Sequence, residues 1–136
     1  MRLNPYLTFN GQCEEAFKFY ALCLGGTIQF MMTYKGTPLE KQVPPAWQHK
    51  ILHVTLDVGG CLLQGADALP HRYQKPQGFS VTLNLKETAE AERVFKALAE
   101  NGTVQMPLQQ TFWAARFGML VDRFGTPWMI NCGQTD

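Results

Sequence analysis

The sequence predicts an α+β fold made of two copies of one unit, a strand, a helix and three further strands (βαβββ). Three observations lead there. The pentapeptide Gly26-Thr27-Ile28-Gln29-Phe30 returns 76 positions later as Gly102-Thr103-Val104-Gln105-Met106. Each copy follows a strand-like run and an amphipathic helix, so a whole supersecondary unit recurs and not an isolated word. Upstream, Leu7 and Phe9 match Leu83 and Leu85 at the same offset, and Thr8-Phe9-Asn10 resembles Thr82-Leu83-Asn84 at an offset of 74. Both offsets are even, so either preserves the face to which each strand residue points. Downstream, Leu56-Asp57-Val58-Gly59-Gly60 has a looser echo in Val121-Asp122-Arg123-Phe124-Gly125, each a strand end followed by a glycine turn.

In the first unit, residues 5–9 alternate, with Leu7 and Phe9 on one face and Tyr6 and Thr8 on the other, until Asn10-Gly11 stops the strand. Cys13, Ala16, Phe17, Tyr20 and Leu24 then recur at helical spacing. Glu14 and Glu15 stand in the first turn, where the helix dipole favours acids, and Gly25-Gly26 ends the helix. Residues 27–34 read as the second strand, 51–58 as the third and 61–65 as the fourth, joined to the third through Gly59-Gly60.

The second unit opens on the clearest alternation in the chain, Phe79, Val81, Leu83 and Leu85 against Ser80, Thr82 and Asn84. A helix over about 88–100 places Ala91, Val94, Phe95 and Leu98 on one face and closes at Asn101-Gly102. Strands at 103–106, about 115–122 and 127–132 complete the unit. Three longer loops remain: 35–48 with Pro38, Pro44 and Pro45; 67–77 with Pro70 and Pro76; and 107–114 with Phe112 and Trp113.

At 136 residues the chain is expected to form one domain over 1–136, with one module at about 1–75 and the other at about 76–136, each too short to fold alone. Twelve basic against eleven acidic residues give a formal charge of +1 and no basic run, which argues against nucleic acid as a partner. Polar residues follow the start too early for a signal peptide, and no apolar stretch approaches the roughly 20 residues of a membrane span. The expectation is a cytoplasmic protein with no membrane partner. Cys13, Cys23, Cys61 and Cys132 show no CxxC spacing and read as reduced packing residues.

Specific stretches add a resemblance. Pro5-Tyr6-Leu7-Thr8-Phe9-Asn10-Gly11, Cys13-Glu14-Glu15-Ala16, Thr111-Phe112-Trp113-Ala114, Arg116-Phe117-Gly118 and Asp122-Arg123-Phe124-Gly125-Thr126-Pro127-Trp128-Met129-Ile130-Asn131 resemble the PhnB-like branch of the vicinal oxygen chelate superfamily, the glyoxalase and bleomycin-resistance fold. The resemblance covers almost the whole chain. It implies a curled, glyoxalase-like sheet with helices on its convex side, a small-molecule ligand in a concavity shared by the modules, often a divalent metal, and a homodimer. With Leu7, Phe9, Leu83 and Leu85 facing helices, strand parity assigns Tyr6, Thr8, Ser80, Thr82 and Asn84 to the concave side, with Gln64 and Met129 beside them and Trp128 and Ile130 against a helix.

Metal-using members of the superfamily carry His or Glu where this chain has Asn4, Ser80, Gln64 and Met129. Neutral amides and a thioether are poor ligands for hard cations, so no cofactor is expected and the metal set reads as lost. His53 is the remaining candidate ligand, because Leu52, Val54, Leu56 and Val58 alternate against it; its competing reading is a hydrogen-bonded wall residue. Asp67 reads as a charge at the cavity mouth and Arg116 as its cationic partner or an anion clamp, with a solvated surface charge as the competing reading of each. Phe112 and Trp113 are loop aromatics suited to stacking on a ligand. No nucleophile elbow and no dinucleotide turn appears. Sequences resembling this one often bear a ubiquinone methyltransferase label, yet Gly25-Gly26 and Gly59-Gly60 read as turns and not as a cofactor cradle.

Three functional readings follow. The first is a metal-free binder of a small polar or aromatic metabolite, with its ligand wall drawn from Tyr6, Thr8, His53, Gln64, Ser80, Thr82, Phe112, Trp113, Arg116 and Met129. The second is a lyase, isomerase or dioxygenase that recruits a divalent ion through His53 with Gln64 or Asp67. The third is a dimeric, non-catalytic scaffold.

Overall fold

In the computed structural model, which describes residues 1–133, the chain divides into two units, one over residues 1–74 and one beginning at Lys75. The first contains β1 (Tyr6–Phe9), α1 (Cys13–Leu24), β2 (Thr27–Thr33), β3 (Ile51–Val58) and β4 (Cys61–Asp67), with short 3-10 turns at Glu40–Gln42 and Pro45–Trp47. The second contains β5 (Val81–Leu85), α2 (Thr88–Ala99), β6 (Thr103–Gln109), β7 (Arg116–Val121) and β8 (Pro127–Cys132). The strands form two separate four-stranded sheets of identical order, β1-β4-β3-β2 and β5-β8-β7-β6. In each, the first strand runs parallel to the last and the other pairs are antiparallel.

One face of each sheet is covered by its own helix. In the first unit Leu7, Phe9, Val54, Leu56 and Leu63 bury beneath Ala16, Phe17 and Tyr20. Phe17 meets Phe9 and Tyr20 edge-on at centroid distances of 6.0 and 5.6 Å. Burial of a ring such as Phe17 contributes about 1.5–3 kcal/mol. Close approach of the helix requires Gly65: a Cβ there would stand 2.7 Å from Phe17 Cε1 and 2.8 Å from the Leu7 carbonyl oxygen. In the second unit Ala91, Val94, Phe95 and Leu98 cover Leu120, Trp128 and Ile130.

The repeated Gly-Thr step has a steric cause. A Cβ on Gly26 would lie 2.8 Å from the Asp57 carbonyl oxygen, and one on Gly102 would lie 2.5 Å from that of Val121. The chain leaves each helix directly over the end of the third strand of its unit, and only glycine fits.

Two buried carboxylates fix the connections. Helix α1 has no capping side chain of its own at Gln12; instead Asp67, at the end of β4, accepts the N–H groups of Gly11 (2.8 Å), Cys13 (3.0 Å) and Ile51 (2.9 Å). Asp122 accepts those of Phe124 and Thr126 and the indole N–H of Trp128 (2.8 Å), closing the turn before β8.

Some expected boundaries move. β5 begins at Val81 and not at Phe79, because Gly78, with φ of +79°, turns the chain just upstream. β6 continues to Gln109 through Pro107, which is tolerated because β6 is an edge strand. β4 extends to Asp67, and Cys61 at its start is exposed, whereas Cys13, Cys23 and Cys132 are buried.

Candidate functional site

The helix-free face of the first unit is a polar row with aromatic margins. Strand register aligns Tyr6, Gln64, Thr55 and Phe30 across β1, β4, β3 and β2. His53 stands one step along: Nδ1 is 3.4 Å from the Tyr6 hydroxyl, Nε2 is 3.0 Å from Thr55 Oγ1, and its ring lies 5.8 and 5.9 Å from those of Tyr6 and Phe30. Burial, more than the neighbouring Cys13 and Tyr34, raises the pKa of Tyr6, so its phenol keeps the proton. The arrangement that satisfies all three groups has Tyr6 donating to Nδ1 and Nε2–H donating to Thr55. Thr8 shares this face, opposite Ala66. Four residues anticipated from sequence, Tyr6, Thr8, His53 and Gln64, are thus brought together.

The second unit presents Thr82, Met129, Met119 and Met106 in one register row and Asn84, Asn131 and Phe117 in the next. Asn131 Nδ2 donates to Asn84 Oδ1 at 3.3 Å. At one end of this face is a cleft of about 550 Å3 whose lining includes Phe79, Ser80, Gln105, Val121, Pro127 and Met129. At the other, Trp113 packs edge-on against Phe117 at 5.2 Å, and Phe112 against Trp113 at 4.7 Å. Phe112 is 90% exposed and Trp113 42%. Ser80 and Met129 therefore line the cleft, with Thr82 beside Met129 in the strand register, while Phe112 and Trp113 belong to the aromatic stack.

Two expectations are corrected. Arg116 does not join these residues: its parity mates Gly118 and Leu120 are buried toward α2, and its guanidinium pairs with Glu92 of that helix at 3.6 Å. Asp67 is neither a mouth charge nor a surface group, being 1% exposed and occupied on both oxygens by backbone N–H groups.

Sequence reasoning placed Thr55 on the face of His53 without giving it a role, and did not single out Phe30, Phe117, Gln105 or Phe79 for the site. The parity that selected His53 also selects Thr55, and alternation with Gly118 and Leu120 selects Phe117 and Met119. Phe79 follows the strand alternation in sequence but leaves the strand in space, standing 48% exposed at the cleft.

The donor chemistry does not fit a divalent centre. His53 has both nitrogens engaged, Gln64 and Ser80 are neutral, and Asp67 faces the core. Among the described residues no three His, Cys, Asp or Glu side chains converge.

The chain matches the 3-demethylubiquinone-9 3-methyltransferase family over residues 1–131. It belongs to that family. It is 34% identical to Protein YjdN of Escherichia coli (strain K12) over 139 aligned positions, covering 96% of this chain and 95% of that protein. Protein PA1353 from Pseudomonas aeruginosa superimposes with a TM-score of 0.90 at 48% identity, covering 99% of both chains. A PhnB protein from Bacillus cereus shares the fold with a TM-score of 0.81 at 24% identity, covering 98% of this chain and 100% of that one. The α+β architecture of two βαβββ units is that of the glyoxalase fold, shared with a glyoxalase/bleomycin resistance protein/dioxygenase family enzyme from Burkholderia phytofirmans PsJN at 13% identity and a TM-score of 0.63.

The family name denotes methyl transfer, which needs a bound methyl donor. The first strand-to-helix turn of this member is not open to one, since the Gly11 and Cys13 N–H groups are already held by Asp67. The residues do not fit such a cofactor there, and we derive no methyl-transfer step. Among the described residues no helix is long and apolar enough to cross a membrane.

Proposed function

We propose that this family member binds a small organic molecule on its helix-free sheet surfaces without using the superfamily's metal set. The observation that carries the reading is the cleft beside Ser80, Thr82 and Met129. Its volume of about 550 Å3 lies within the roughly 300–1,000 Å3 typical of small-molecule sites. Its lining combines apolar surface from Phe79, Val121 and Pro127 with hydroxyl and amide groups from Ser80 and Gln105, the mixture that buries a ligand body while fixing its orientation. In the first unit, the Tyr6, His53, Thr55 and Gln64 row beside Phe30 has the same composition. Titrating a fragment mixture into the full chain while following backbone amide resonances tests the reading. Saturable shifts at Ser80, Gln105 and Val121 are expected, and Met129→Glu should suppress them. Shifts confined to helix surfaces would refute it.

A second reading, self-association as a homodimer, rests on Phe112, whose ring stands 90% exposed on Trp113. Sedimentation of the wild-type chain beside Phe112→Ser decides it. A dimer that the substitution dissociates supports the reading, and a monomeric wild type removes it.

A further inference from the structure

The cleft of the second unit has a one-sided charge. Its lining contains Lys75, Gln77, Ser80 and Gln105 as polar side chains and no Asp or Glu. Among the described residues no carboxylate forms an ion pair with Lys75. The segment from Lys75 to Ser80 runs along the cleft, so one wall carries an ammonium, an amide and a hydroxyl, with Phe79 between them. Val121, Pro127 and Met129 complete the lining with an apolar surface and a polarizable sulfur. Resting on the reading of this cleft as a ligand site, we propose that it takes a singly charged aromatic carboxylate, the carboxylate on Lys75 and the ring on the Pro127 and Met129 side.

The head group follows from what accompanies the cation. A lone ammonium is a point charge with three donors, matched to one carboxylate. Phosphate esters carry nearly twice that charge and are held by arginine forks, several cations or a helix N-terminus. No arginine lines the cleft, and α2 contributes no residue to it. The body follows from the walls: thioether sulfur and prolyl carbons pack favourably on a flat ring, and Phe79 adds an edge or face contact.

The test titrates benzoate, benzyl alcohol, benzylamine and phenyl phosphate into the full chain, following the amides of Ser80, Gln105 and Val121. Benzoate should bind there up to about fivefold tighter than benzyl alcohol, the gain of one partly solvated charge pair. Lys75→Gln should bring benzoate down to the benzyl alcohol level, and Lys75→Arg should retain the preference. Equal binding of benzoate and benzyl alcohol, a preference for benzylamine or phenyl phosphate, or an unaltered preference in Lys75→Gln overturns the charge assignment while leaving a ligand cleft. If none of the four probes perturbs the cleft, this proposal and the small-molecule reading of the cleft both fall.

Discussion

The carboxylate of Asp67 accepts the backbone N–H of Ile51 at 2.9 Å, tying the end of β4 to the start of β3. Its other oxygen holds Gly11 and Cys13, so one buried side chain sets the β1–α1 turn, starts the helix and anchors a third element. Asp67→Ala would leave these donors without an acceptor. Each such loss costs about 1–3 kcal/mol, so a destabilisation of about 3 kcal/mol or more is expected in urea unfolding. Asp67→Asn, which keeps one acceptor oxygen, should cost less. A loss below about 1 kcal/mol for the alanine variant would show that the loops are held by other contacts.

Alkaline pH should weaken the fold through Cys13. Burial pushes its thiol well above the ordinary 9.0, with Asp67 as the next contributor, and the phenol of Tyr34, a donor to the Asp67 carbonyl at 2.8 Å, is also raised from 10.0, again by burial first. Below 9.0 both folded and unfolded chains keep these protons, and the contribution to stability is complete. Above it the unfolded chain releases protons that the folded chain retains, so stability falls as pH rises. Unfolding midpoints across this alkaline range should decline less steeply in Cys13→Ala, and identical slopes would count against the assignment.

The thiols should separate by burial alone. A water-soluble disulfide reagent should modify Cys61 rapidly in the native chain, and Cys13, Cys23 and Cys132 only on unfolding. Rapid modification of a second thiol under native conditions would contradict the packing described.

Tyr6→Phe should alter His53 without unfolding the chain. Tyr6 is half exposed, so its hydroxyl contributes little to stability, within about 1 kcal/mol. Loss of the donor to Nδ1 should change the tautomer balance of His53, read from the nitrogen shifts of its ring. Unchanged ring shifts would mean that the Tyr6 and His53 contact does not set the tautomer.

What the chain discloses before folding follows from periodicity. The Gly26-Thr27 and Gly102-Thr103 repeat announced two units because a backbone approach excludes any Cβ in both. Alternation placed Tyr6, His53, Gln64 and Met129 away from the helices because one face of each sheet is buried. Arg116 and Asp67 were misplaced for one reason. Each is polar at a helix-facing position, where a partner distant in sequence, Glu92 for one and the Ile51 and Cys13 amides for the other, compensates the charge. At the cleft wall Lys75 and Gln77 carry no strand signature, and Phe79, which continues the alternation of β5 in sequence, lies outside the ladder in space.

The most direct measurement labels the methionine methyl groups and titrates the full chain with a mixture of small aromatic and polar fragments. The account expects saturable shifts at Met129 and Met119, neighbours on the helix-free face of the second unit, with Met1 unmoved. Fragments that bind while leaving Met129 and Met119 unperturbed would contradict it.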